Sequence, residues 1–185
     1  LGEGSDVFKT LHYYCIGDPL CLLVALFPAG AMGYCYTVLS LVRMYLAGLS
    51  FIFFARQMDP KASSSAYLMG GLSYSLSNWA LYCAVRHSFF LNPLILLPLM
   101  FLGIEKTGKE KKPALFIIAT ALAAVTSVYF FYMIVIMSII YGVIRYPEVK
   151  KLFLMLASGI YGSLMGAVVL LPQILFLLSD GRNGD

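Results

Sequence analysis

The residues of this 185-residue chain best suited to chemistry are the acids Glu3, Asp6 and Asp18 and the bases His12, Arg43, Arg86 and His87. A carboxylate can take the proton from an attacking hydroxyl, and arginine or histidine can contact a phosphate through charge-assisted hydrogen bonds. Each also has an ordinary reading. Asp18 precedes Pro19 and an apolar run, the pattern of a helix N-cap followed by proline at the first helical position, so a capping role stands beside substrate contact and a catalytic base. Asp6 reads equally as a solvated loop acid, and His12, Arg86 and His87 as interfacial residues. The cysteines Cys15, Cys21, Cys35 and Cys83 show neither CxxC spacing nor partnering histidines, so they read as packing residues, with no metal or cofactor.

The elements that must position these groups are membrane elements. Hydrophobic residues make up 61% of the chain and charged residues 12%, with a mean hydropathy of +0.85, which leaves too little polar surface for a soluble domain. The net charge of +4 does not point to nucleic acid, because the bases cluster in short loops and do not alternate with exposed aromatics. Apolar stretches fall at roughly 33–55, 66–85, 89–104, 113–146 and 152–178, separated by RQMDPKASSS, RHS, EKTGKEKK and RYPEVKK.

The fourth stretch would be about 51 Å long as one helix, far more than a bilayer needs. Both its flanks are basic, which places both on the cytoplasmic side, so the run must go out and return, turning near TSVYFFY. Six spans follow, in an all-α polytopic bundle. The inner loops then carry nine bases, Arg56, Lys61, Lys106, Lys109, Lys111, Lys112, Arg145, Lys150 and Lys151, against Lys9, Arg86 and Arg182 outside, and both chain ends face out. With an outer start at Leu1, no initiator methionine and no signal sequence, the chain reads as a fragment with at least one more span upstream.

The segment IGDPLCLLVALFPAG, residues 16–30, is too apolar for a surface loop, yet its apolar part reaches only about 14 Å as a helix. It is expected to form a half-length interfacial or re-entrant helix capped by Asp18 and ended by Pro28. Pro93, Pro98 and Pro172 make other spans irregular, a mark of packing kinks or of a cavity, and GGLSYSLSN is first of all a helix-packing face. Arg43 lies about 14 Å from the outer end of its span and needs a partner inside protein. Two readings of it remain open: a tie to carbonyls or to a carboxylate in a missing part, and a role beneath a phosphate site.

The order GDPLCLLVALFP, LAGLSFIFF, GGLSYSLSN, LNPLILLPLMFLGIEK, KKPALFIIATALAAVTSVYFFYM and VVLLPQILFL resembles the YfhO family, bacterial multispanning proteins of the GT-C superfamily of membrane glycosyltransferases. The resemblance runs from Leu1 to about Leu178. It implies a GT-C-like bundle in the bacterial cell membrane, with residues 1–33 as the second half of a first outer loop, 34–178 as the transmembrane bundle and 179–185 as the start of another outer loop. It further implies transfer of a sugar from a polyprenyl-phosphate donor to an envelope glycan or polymer acceptor, partnered by the lipid bilayer. The candidates for the catalytic base are then Asp6 and Asp18, and the candidate substrate contacts Asp18, Arg43, His12, Arg86 and His87. The acids that the family places just after its first span are expected upstream of Leu1, which leaves this piece inactive by itself. Tyr34, Tyr36, Tyr74 and Tyr82 are belt or packing residues before they are sugar platforms. A non-enzymatic transporter of lipid-linked glycans, or an envelope assembly factor, would also use broken helices and an intramembrane charge.

Overall fold

The computed structural model describes residues 17–179, which form helices joined by short turns, with no strand among the described residues. Glu3, Asp6 and His12 lie outside them, as does the segment after Ser179.

Asp18 has extended backbone and caps the single turn α1 (Pro19–Leu22), with Pro19 at the first helical position. The expected half-length segment is helical from Pro19 to Leu26 and ends before Pro28, but it is not a regular α-helix throughout. After one α-turn the chain tightens into a 3-10 turn at Leu23–Leu26 and then straightens at Phe27 and Pro28. Proline disfavours helical backbone in the residue before it and lacks the N–H that would carry a helix through. Leu22, Leu23, Leu26 and Phe27 are left exposed.

A second 3-10 turn, Ala29–Ala31, leads into α2 (Met32–Met58), about 40 Å long. Its buried residues Leu39, Ser40, Arg43, Met44, Ala47 and Gly48 recur at three- and four-residue spacing and so form one face. The expected span 66–85 runs back along α2 in two pieces, α3 (Ser64–Ser75) and α4 (Asn78–Arg86). The Ser77 hydroxyl accepts the Ala80 N–H at 3.4 Å and starts a new helix, so a local side-chain bond competes with continuation of the first. GGLSYSLSN does supply a packing face. A Cβ on Gly71 would stand 2.7 Å from Ile52 and 3.2 Å from the Gly48 carbonyl, so only glycine lets α3 approach α2 this closely.

α5 (Asn92–Glu110) is preceded by a 3-10 turn, Ser88–Leu91, and runs past the expected end at residue 104 into the charged stretch. It stops at Lys111, whose left-handed φ of 56° lets its N–H reach the Thr107 carbonyl and the Lys112 N–H reach that of Lys106. The long apolar run that follows is broken at Ser127, in extended conformation, between α6 (Ala114–Thr126) and α7 (Val128–Arg145). Direction reverses there: Gly103 of α5 meets Phe116 of α6, while Phe130 of α7 returns beside Phe90 and Arg145 ends beside Glu105. Gly162 of α8 (Val149–Met165) and Gly166 in the turn after it lie on Thr120 and Ala124 of α6, and α9 (Ala167–Ser179) follows that turn.

The main core joins Leu96, Met100 and Ile104 of α5 to Phe116, Ala119 and Ala123 of α6, Ile134 of α7, Tyr146 and Met155. A smaller one joins Met44, Ala80, Cys83 and Leu91. Among the described residues, three helical stretches are long and apolar enough to cross a bilayer, Ala29–Met58, Ser88–Glu110 and Val128–Arg145. The outward faces of these helices remain apolar, with Leu41, Phe53, Ile136, Ile140 and Ile144 all exposed, as expected of a surface that meets lipid.

Candidate functional site

At the end of the bundle where α5 begins, three elements converge on one carboxylate. Asp18 is 2% exposed and Arg43 is wholly buried, and they form an ion pair through Oδ2 and Nη2. The same Oδ2 accepts the Asn92 side-chain amide at 2.7 Å. The other oxygen accepts the backbone N–H of Leu20 at 2.9 Å and that of Cys21 at 3.4 Å. Arg43 also donates to the Ser88 hydroxyl, and the Ser88 N–H donates to the Tyr36 phenol at 2.9 Å. A capping residue, a helix-borne cation and the turn before α5 are thus clasped together in a medium where an unpaired charge would be costly.

The partner of Arg43 is therefore Asp18, 25 positions earlier in this chain, and not a carboxylate in a missing part. With both oxygens engaged and almost no exposure, Asp18 ties the segment around α1 to α2 and α5. Arg86 and His87, in contrast, are exposed where α4 ends, just before the Ser88 turn that Arg43 grips. The His87 ring lies 5.3 Å from that of Phe90.

Phe90 opens onto a lateral groove of about 410 Å³ between α4, α5 and α7. Its walls are mainly apolar and aromatic: Trp79, Pro93, Leu97, Tyr129, Phe130 and Met133 line it among others. Trp79 stacks parallel to Phe90 at 6.5 Å and Phe130 meets Phe90 edge-on at 4.9 Å, so aromatic contacts fix the mouth.

A second polar cluster sits at the opposite end of α5, and sequence reasoning missed it. Glu105 is fully buried and receives Lys109 at 2.8 Å, Arg145 at 2.9 Å, the Tyr141 phenol at 2.7 Å and the Tyr146 phenol at 2.9 Å. Burial and the adjacent Glu105 carboxylate push the Tyr146 phenol up to about 12, so it remains a donor at any physiological pH. Gly108 makes room for that ring, since a Cβ there would lie 2.6 Å from it. The available signal was the four-residue step from Glu105 to Lys109, matched on α7 by the step from Tyr141 to Arg145.

Over residues 1–185 the chain matches the family described as "Bacterial membrane protein YfhO". It is 28% identical over 206 residues to the "Uncharacterized protein YfhO" of Bacillus subtilis (strain 168), an alignment covering 98% of this chain and 23% of that protein. The chain thus spans less than a quarter of the length of the curated relative it matches. No solved structure matches it.

Proposed function

The chain belongs to the YfhO family of bacterial membrane proteins, and from that premise we propose that the complete protein is a GT-C-type glycosyltransferase. It moves a sugar from a polyprenyl-phosphate donor to a cell-envelope glycan or polymer at the outer face of the membrane. The observation that carries this reading is the lateral aromatic groove with His87 against Phe90 at its mouth and the exposed Arg86 one residue earlier in the chain. An apolar channel open to the bilayer suits a polyprenyl chain, and exposed cationic or hydrogen-bonding groups at its end suit the phosphate. Asp18 and Arg43 hold the Ser88 turn, and with it His87, in place. The general base is a carboxylate outside the described residues, Asp6 or one elsewhere in the longer protein, since Asp18 and Glu105 are both committed to ion pairs.

In this reading α2, the pair α3 and α4, α5, α6, α7 and α8 cross in alternating directions, with the groove outside and Glu105 inside. The alternation of packed helices and the nine-to-three split of bases support it. Single cysteines placed at Ser88 and Tyr129, in a background without native cysteines, are expected to react with a reagent confined to the outside, and one at Lys109 is not. Labelling at Lys109 but not Ser88 inverts the arrangement.

The complete protein, reconstituted with a polyprenyl-phosphate sugar and an envelope acceptor, is expected to transfer labelled sugar, and residues 1–185 alone are not. Replacing Arg86 and His87 together by alanine should weaken donor use about tenfold or more, the usual loss for charge-assisted contacts. Unchanged donor use in that variant removes the groove assignment. A folded protein that moves lipid-linked glycan across the bilayer without transferring sugar replaces the enzyme by a transporter.

A further inference from the structure

Around Glu105 the cations outnumber what the carboxylates can neutralise. Lys109 and Arg145 share one buried carboxylate, yet their side chains are 41% and 43% exposed, so each keeps an open side. Lys151 lies 5.1 Å from the centre of the Tyr146 ring, the same ring whose phenol binds Glu105, and it pairs with Glu148. Lys150 is exposed beside it, and Lys112 pairs with Glu110 close by in the chain. Seven bases between Lys106 and Lys151 thus face three acids, Glu105, Glu110 and Glu148, at one end of the bundle.

The apolar residues next to this patch are exposed too. Ile144 precedes Arg145, Val149 precedes Lys150, and Phe153 follows Lys151 by two positions, and all three are among the most exposed large side chains of the chain. A cation cluster fixed by a buried carboxylate and an aromatic ring, with unpartnered aliphatic and aromatic surface beside it, has the two chemistries of one amphiphile. We propose that this end of the bundle binds the headgroup of an anionic phospholipid, its phosphate meeting Lys109, Arg145 and Lys151 and its acyl chains lying over Ile144 and Phe153. The adjoining apolar surface selects a lipid over a free phosphate, which would leave that surface uncovered. The binding is independent of glycosyl transfer and of which leaflet the patch meets.

The complete protein is placed in nanodiscs of phosphatidylcholine with increasing phosphatidylglycerol, and the lipids it retains are counted by native mass spectrometry. Phosphatidylglycerol should be retained over phosphatidylcholine, less so as salt rises. The variant Lys109→Gln with Lys151→Gln leaves Arg145, Tyr141 and Tyr146 on Glu105. Its preference should fall about fivefold per base removed. The proposal is overturned if the unaltered protein shows no preference, if the double variant keeps the full preference, or if inorganic phosphate at concentrations matched to the lipid displaces phosphatidylglycerol.

Discussion

Replacing Arg43 by leucine is expected to lower the stability of the complete protein by about 3–5 kcal/mol, as breaking a buried pair strands the remaining charge. Asp18 would keep its two backbone donors and the Asn92 amide but lose its ion-pair partner, while staying almost wholly enclosed. Thermal unfolding in detergent, followed by size-exclusion chromatography, measures the loss. Lysine at position 43 should recover only part of it, because one ammonium cannot match a guanidinium that serves Asp18 and Ser88 through separate nitrogens. Adding Asp18→Asn to the leucine variant should recover more, since asparagine still caps α1 and leaves no charge behind. A leucine variant as stable as the parent would mean that Asp18 is not held by Arg43, and the clasp would have no energetic content.

The second large effect is expected at Gly103, where α5 and α6 touch. A Cβ there would stand 2.7 Å from both the Cα and the N of Phe116, and backbone cannot rotate out of the way as a side chain can. Gly103→Ala should therefore force the helices apart and destabilise by about 1–3 kcal/mol, the range for overpacking. The comparison is Gly142→Ala on α7, where the nearest atom would be the Met155 sulfur at an ordinary 3.6 Å and helix propensity favours alanine. That change should be neutral or mildly stabilising. If both variants unfold alike, close approach at Gly103 is not what holds α5 to α6.

Features that rest on local chemistry or on charge bookkeeping were readable from the residues alone. The reversal at Ser127 followed from two basic flanks around one overlong apolar run, and the cap at Asp18 from a single Asp-Pro step. The pairing of Asp18 with Arg43 was not readable, because 25 intervening residues impose no register on two side chains that meet only once α1 folds back. Glu105 was hidden for a different reason. Hydropathy ends the span at Ile104, whereas four polar partners let the helix carry a carboxylate inside and continue to Glu110. The interruption at Ser77 also escaped notice, since serine in an apolar run is as often a packing residue as a cap.

That interruption gives one span two mechanical halves. α3 is bolted to the far half of α2 through glycines, while α4, carrying Trp79 and ending at His87, rests on Met44 and Leu91 through Ala80 and Cys83. A joint therefore lies directly before the residue that forms one wall of the groove. Small rotations about Ser77 would swing Trp79 away from Phe90 without prying α3 from α2. Under the proposed function, the donor's long branched tail would then slip in sideways from the lipid, like a cable pressed into a clip, and the rest of the bundle would not need to loosen to admit it.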